Sequence, residues 1–297
     1  MGQYMGNAPT TALLFPGQGS QTADMRELVE SRRPDLLEQA LREAGPDLFE
    51  RAEDGTRWAQ PAIFCAALAG WEELRGSVSP ALMAGHSLGE IAALVAAEAI
   101  SAEDGLRLVT ARGRLMQEAA EETGDGGMLV VRARGDRAPI HEVVEATGLS
   151  IANDNAPDQL VLSGASGALD DAEAALAERR VRAKRLPVAG AFHSPLMEPA
   201  VEPFRALVAE TEVQDPRVPV LSCVTTEPFD DIRGRLVEAI TSPVRWLEVM
   251  RELERRGASR FVETGPGRVL TNLVRKSLEG VDAEAPLAEP APEAARV

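Results

Sequence analysis

Five consecutive residues carry the strongest chemical signal in the chain: Gly85-His86-Ser87-Leu88-Gly89. The pattern is G-x-S-x-G. A short apolar run, Ala81 to Ala84, precedes it, and an Ala-rich helical stretch, Glu90 to Ala99, follows at once. A tight strand-to-helix turn forces the central serine into an exposed, strained position, and the flanking glycines avoid backbone collisions there. The new helix aims its first N–H groups at the reacting atom, where negative charge develops. Ser87 is therefore the candidate nucleophile.

A serine hydroxyl needs a base, and histidine is the usual one. The chain has three histidines. His86 neighbours the serine, so its side chain is expected to point away. His141 lies among charged residues of an expected helix and reads as solvated. His193, in Gly190-Ala191-Phe192-His193-Ser194-Pro195, is the candidate base by elimination. No acid is selected as its orienting partner. Glu263 and Asp154 are possible, and a backbone carbonyl can also fix an imidazole tautomer.

Arg112 is the third informative residue. In the helix expected over Ala102 to Glu121 it falls within the apolar stripe of Leu108, Val109, Leu115 and Met116. A guanidinium on a buried face needs a partner. Two readings fit: a structural salt bridge, or a bidentate clamp for a substrate carboxylate. The loop Phe15-Pro16-Gly17-Gln18-Gly19-Ser20-Gln21 lacks the Gly-Lys-Ser/Thr ending of a nucleotide phosphate loop. It could instead present a backbone N–H to an oxyanion, with the N–H of Leu88 as second donor. Arg179, Arg180, Arg182, Lys184 and Arg185 form the densest basic cluster. It reads as a solvated helix end or as a docking patch for anionic partners.

These residues need a scaffold. The 297 residues are 44% hydrophobic, enough for a large domain with a smaller insert. Strands are expected over Thr11 to Phe15, Ala81 to Ala84, Pro219 to Val224 and Arg260 to Glu263. Helices are expected over Arg26 to Ala44, Pro61 to Leu74, Pro199 to Thr211, Arg233 to Ile240, Val244 to Arg256 and Arg268 to Ser277. Strands alternating with helices imply a mainly parallel sheet covered on both faces. The middle segment runs strand (Met128 to Ala133), helix (Arg137 to Ala146), strands (Leu149 to Asn153 and Gln159 to Ser163), helix (Ala168 to Arg180), strand (Arg182 to Val188). This βαββαβ order is ferredoxin-like. The expected division is a large subdomain of residues 8–124 and 195–278, a small one of 125–194, and a disordered tail of 279–297 rich in Glu, Ala and Pro. The net charge of −16 disfavours nucleic acid and anionic membranes as general partners. No apolar run reaches the ~18 residues of a membrane span, and the first residues are not a signal peptide. A cytoplasmic location is expected. Cys65 and Cys223 read as buried free thiols.

Together these motifs resemble the malonyl-CoA:acyl carrier protein transacylase family, which includes the acyltransferase domains of polyketide synthases. The resemblance runs from about Thr11 to Leu278. It rests on FPGQGSQ (Phe15 to Gln21), AQPA (Ala59 to Ala62), GHSLGE (Gly85 to Glu90) and ARGRLMQ (Ala111 to Gln117). NDNAPDQLVLSG (Asn153 to Gly164), AFHSPLM (Ala191 to Met197), SPVRW (Ser242 to Trp246) and ETGPGRVL (Glu263 to Leu270) follow in family order. The stretches between Leu48 and Ala59 and between Thr225 and Arg233 are shorter than expected for the family.

The resemblance implies an α/β-hydrolase-like large subdomain, a ferredoxin-like small one and a site between them. It implies Ser87 as nucleophile, His193 as base, and the N–H groups of Gln18 and Leu88 as the oxyanion hole. Arg112, Phe192 and Asn155 would bind substrate, and the backbone carbonyl of Arg245 would orient the base. Lys184 and Arg185 match positions linked with coenzyme A or carrier-protein binding. Phe192 and Leu88 fit malonyl rather than methylmalonyl, because a phenyl ring near the α-carbon leaves little room for a methyl. The implied reaction is ping-pong transfer of malonyl from coenzyme A to the phosphopantetheine thiol of an acyl carrier protein, without metal or redox cofactor; a monomer is expected. Transfer of another acyl group between carrier proteins, hydrolysis of stalled acyl groups, and a degenerate docking module are the competing readings.

Overall fold

The computed structural model describes residues 10–288, apart from Arg134 and Ala189. The chain opens with β1 (Thr10–Phe15), α1 (Met25–Arg32), α2 (Pro34–Ala44), α3 (Thr56–Leu74), β2 (Leu82–Gly85), α4 (Gly89–Ala96) and α5 (Ala102–Thr123). The middle holds β3 (Gly126–Arg132), α6 (Ala138–Thr147), β4 (Ser150–Ala156), β5 (Gln159–Ala165), α7 (Ser166–Glu178) and β6 (Arg182–Arg185). A single 3-10 turn, Pro195–Met197, leads into α8 (Glu198–Glu210) and β7 (Val220–Leu221). The remaining elements are α9 (Ile232–Glu238), α10 (Trp246–Arg255), β8 (Ala258–Glu263), α11 (Val269–Ser277) and β9 (Asp282–Glu284).

Two sheets result. The first is parallel throughout, in the order β7-β2-β1-β8-β9. Its central strand alternates sides: Leu13 and Phe15 enter the larger core, Ala12 and Leu14 the core on the opposite face. A strand buried on both faces reads as a continuous apolar run, as TALLF does. The second sheet is antiparallel, in the order β4-β5-β3-β6. Leu129, Val131, Leu160 and Leu162 face α6 and α7 in a small core of their own. The opposite face, through Met128 and Val161, joins the larger core. Among the described residues no helix is long and apolar enough to cross a membrane, and both cysteines are buried and free.

Two expectations are corrected here. The helix expected over Arg26 to Ala44 breaks between α1 and α2. Arg33 sits at φ −140° and ψ 61°, because the ring of Pro34 excludes the α conformation from the residue before it. The tail expected to be disordered from Glu279 is ordered through Ala288. β9 adds a fifth strand beside β8, with Ala283 buried and Arg260 paired to Glu284 at 2.9 Å. Residues 289–297 of that expected tail lie outside the described residues.

Candidate active site

The site grows from the end of β2. Ser87 lies between β2 and α4 at φ 55°, a left-handed conformation that costs a side-chain-bearing residue on the order of 1 kcal/mol. Close packing enforces it. A Cβ on Gly85 would lie 1.9 Å from the carbonyl carbon of Gly89, and one on Gly89 would lie 2.2 Å from the carbonyl oxygen of Phe15. The His86 N–H donates to that same Phe15 oxygen at 2.9 Å, so the turn is fastened to β1.

His193 faces Ser87 from the loop before the 3-10 turn. Its Nε2 is 2.8 Å from Ser87 Oγ. Its Nδ1 is 3.0 Å from the Ala239 carbonyl oxygen and 3.1 Å from that of Ser242. Carbonyl oxygens only accept, so Nδ1 carries the proton and Nε2 presents its lone pair to the serine hydroxyl. Burial, with Arg112 and His86 nearby, pushes the His193 pKa down to about 3. The ring is thus neutral at ordinary pH, with its Nε2 lone pair facing the serine hydroxyl.

The Arg245 carbonyl was the expected orienting group, and this is corrected. That oxygen accepts the Val249 N–H at 3.0 Å in the first turn of α10, while the Arg245 side chain pairs with Glu248. A helix-starting carbonyl already has its donor. The orienting carbonyls come from Ser242, in the same SPVRW turn, and from Ala239, just after α9. The two acids considered are also engaged elsewhere. Glu263 accepts the Leu270 and Thr271 N–H groups, and Asp154 pairs with Arg137 at 2.7 Å.

Arg112 projects from α5 and is buried, at 3% exposure. Its Nη1 donates to Gln60 Oε1 at 2.8 Å and its Nη2 to Ser87 Oγ at 3.2 Å. Among the described residues no carboxylate pairs with it; Glu90 acts on it only at longer range. Burial lowers its pKa to about 10, so it stays cationic at neutral pH. A structural salt bridge, one of its two sequence readings, is absent among the described residues.

These groups line a cavity of about 620 Å³ between the two sheets. Gln18 and Leu88 border it from the parallel-sheet side, Met128, Val130 and Asn155 from the antiparallel side, and Phe192 from the segment that connects β6 to the 3-10 turn. Neither the Gln18 nor the Leu88 N–H makes a hydrogen bond among the described residues. Asn155 does not act alone: its Oδ1 is 2.8 Å from His86 Nε2. His86, expected to point away from the site, is among the residues bordering the cavity, and its ring meets Trp246 edge-on at 5.4 Å. The inter-sheet partner holds it there, and burial lowers its pKa. Lys184 and Arg185 lie on β6, the edge strand of the small sheet, outside the cavity lining. Arg185 is paired with Asp170 at 2.6 Å, and Lys184 is exposed.

Gln60 was missed from the sequence. It is 2% exposed, and its Nε2 donates to Thr56 Oγ1 at 2.8 Å. Arginine can only donate, which fixes Oε1 toward Arg112. Its signal was present: it is the one strongly polar side chain in the apolar run Ala59 to Gly70.

A neutral imidazole on a strained serine, beside a cation that no carboxylate pairs with among the described residues, is suited to nucleophilic acyl transfer with an anionic acyl group. The family model described as acyl transferase domain matches residues 12–296, and the chain belongs to that family. It is 37% identical over 300 residues to the malonyl CoA-acyl carrier protein transacylase of Salmonella typhimurium, covering 94% of this chain and 96% of that one. It is 42% identical over 284 residues to the polyketide biosynthesis protein ThaF of Burkholderia thailandensis, covering 90% of this chain but only 24% of that longer protein. The crystal structure of the malonyl-CoA:acyl carrier protein transacylase of Xanthomonas oryzae superposes with a TM-score of 0.85 at 37% identity, covering 93% and 94% of the two chains. A malonyl-transacylase solved in complex with a type II PKS acyl-carrier protein gives 0.84 at 34% identity, covering 94% and 96%.

Proposed function

We propose that this chain transfers a malonyl group from malonyl-CoA to the phosphopantetheine thiol of an acyl carrier protein, through a malonyl ester on Ser87. The full-length relatives named as malonyl-CoA:acyl carrier protein transacylases support the reading, as does the neighbour bound to a carrier protein. The observation that carries it is Arg112: a buried guanidinium without a carboxylate partner among the described residues, with Nη2 3.2 Å from the serine oxygen.

In the proposed reaction His193 Nε2 takes the Ser87 proton and the oxygen attacks the thioester carbonyl. The developing oxyanion is held by the Gln18 and Leu88 N–H groups. Coenzyme A leaves as its thiol, taking the proton back from His193. The carrier-protein thiol then attacks the ester by the same route in reverse order, which makes the cycle ping-pong. Arg112 binds the malonyl carboxylate and so selects a carboxylated acyl group. Phe192 closes the pocket near the α-carbon, against a methyl branch, and Asn155, braced by His86, lines its other wall. The cycle calls on no metal or redox cofactor. Lys184, exposed on the edge strand β6, offers a cation for coenzyme A or the carrier protein; Arg185, already paired, serves less directly. We further read the parallel sheet as an α/β-hydrolase-like subdomain and the antiparallel sheet, whose order fits, as a ferredoxin-like one. A cytoplasmic monomer is the form proposed.

Intact-protein mass spectrometry tests this. Mixed with malonyl-CoA alone, the protein should gain one malonyl group, absent in Ser87→Ala and weak with methylmalonyl- or acetyl-CoA. Arg112→Ala should lose malonyl uptake and spare acetyl. Steady release of coenzyme A without an adduct would indicate hydrolysis instead, and equal loss of both acyl groups would contradict the clamp.

A further inference from the structure

Glu90 takes no part in the steps above, yet it is 1% exposed in the first turn of α4, three residues after Ser87. A buried carboxyl group must be satisfied by hydrogen bonds. Its Oε1 accepts the Cys223 N–H at 2.6 Å, and the Ser222 side chain lies near enough to favour its charged form. Both residues belong to the segment leaving β7. That segment is fastened to the nucleophile turn a second time, by Cys223 Sγ donating to the Gly85 carbonyl at 3.1 Å. On its other side the Cys223 carbonyl accepts the Arg245 N–H at 3.1 Å. Arg245 ends the turn that begins at Ser242, whose carbonyl holds His193 Nδ1. The turn carrying the serine and the turn holding the imidazole therefore meet at Ser222 and Cys223, joined there by the Glu90 carboxyl and by the Cys223 thiol.

We infer that Glu90 is a positioning residue: its hydrogen bond to Cys223 sets the distance between Ser87 Oγ and His193 Nε2. The inference rests on Ser87 and His193 acting as nucleophile and base. What matters is the reach of a five-atom side chain and an acceptor oxygen, not a negative charge. Burial raises the Glu90 pKa to about 7, and the protonated carboxyl still offers a carbonyl oxygen to the Cys223 N–H. Arg112, on α5, and the Cys223 thiol are the charged and titratable groups that act on it.

The test compares Glu90→Gln with Glu90→Asp in the full chain. Gln keeps the reach and the acceptor but loses the charge; Asp keeps the charge but is one methylene short. Ser87 labelling by a fluorophosphonate, malonyl transfer and thermal melting are measured for each. Gln should retain at least about a third of the wild-type labelling rate and kcat, while Asp should lose about tenfold or more in both with KM little changed, the effect of a small misplacement of reacting groups. Melting points close together would separate positioning from bulk stability. Asp equal to or better than Gln overturns the inference, and so does a Gln variant impaired more than about tenfold. If Asp does not fold, the Gln arm alone decides. Wild-type protein that labels at Ser87 but takes up no malonyl would defeat the proposed function, while the order of Gln and Asp would still be read from labelling.

Discussion

Ser87 and His193 reach the same left-handed backbone conformation, at φ 55° and 57°, by different means. Around Ser87 the constraint is local. Gly85 and Gly89 lie within two residues of it, and their missing side chains let β1, β2 and α4 converge. Around His193 it is remote. The ring is held by carbonyls 46 and 49 residues away in sequence; only the backbone is braced locally, by Ser194 Oγ donating to the Ala191 carbonyl at 2.6 Å. A serine placed by its neighbours has one available position. An imidazole placed by a distant turn is only as well set as the packing between them.

Breaking the local constraint should do the most damage. In Gly89→Ala the new methyl meets a backbone oxygen of β1 that cannot yield without moving the strand. Destabilisation of roughly 3 kcal/mol is expected, at the upper end for overpacking. Fluorophosphonate labelling of Ser87 should fall by more than about 100-fold as the oxygen leaves its position. Labelling near the wild-type rate would show that the turn tolerates a side chain and that its fixity lies elsewhere.

The next effect tests the cation that the serine turn and α5 share. Gln60→Glu places a carboxylate where a neutral amide now accepts from Arg112 at 2.8 Å. The pair would neutralise the guanidinium and compete with a substrate carboxylate. Malonyl acylation should drop by about 30-fold, the equivalent of ~2 kcal/mol for a charged hydrogen bond. Acetyl acylation, which needs no cation, should change little. Parallel losses would place Gln60 in general packing rather than in selection of the acyl group.

This contrast also explains what could be read from the sequence. Ser87 was legible because strand, turn and helix follow one another within a few residues. Arg112 was legible because helical periodicity put it in the apolar stripe. The orienting group of His193 was not, since Ala239 and Ser242 act through main-chain oxygens, which every residue has. The family pattern led to the right turn and to the wrong residue, Arg245. Gln60 was overlooked because one amide among apolar side chains reads as a tolerated core polar group until its partner is known. β9 was overlooked because the stretch from Glu279 onward, in which it lies, has an Ala, Glu and Pro composition that resembles a solvated tail. A three-residue edge strand needs only Ala283 buried and the ladder to β8. The break at Pro34 had a local signal, and the periodicity of the flanking residues obscured it.

A smaller loss should follow from loosening the local brace on the His193 backbone, because the remote carbonyls still hold the ring. Ser194 is buried, and besides its bond to Ala191 its Oγ accepts the Leu196 N–H at 3.3 Å, starting the 3-10 turn. Ser194→Ala removes both, a cost of about 1 kcal/mol by analogy with a helix cap. His193 keeps its two carbonyls, so kcat should fall only about fivefold with KM unchanged. A loss as large as that of Gly89→Ala would mean that His193, too, is placed mainly by its neighbours.

The smallest effect expected is an absence of change with pH, and it follows from the same remote enclosure. Burial favours the neutral imidazole and holds the His193 pKa at about 3, against about 6.5 in the unfolded chain. Between those values the unfolded state binds the extra proton and the folded state does not. The stability this group contributes is therefore complete above about pH 6.5 and is lost as pH falls toward 3. The rate follows the folded value. Lowering pH from 8 to 6 should change Ser87 labelling by less than about twofold, whereas an imidazole with the ordinary pKa would lose most of its basic form there. Labelling across that range, beside melting measured from pH 7 to 4, separates the two cases. A rate that halves near pH 6.5 would mean that water reaches the ring, and that the turn carrying Ala239 and Ser242 opens more readily than its hydrogen bonds imply.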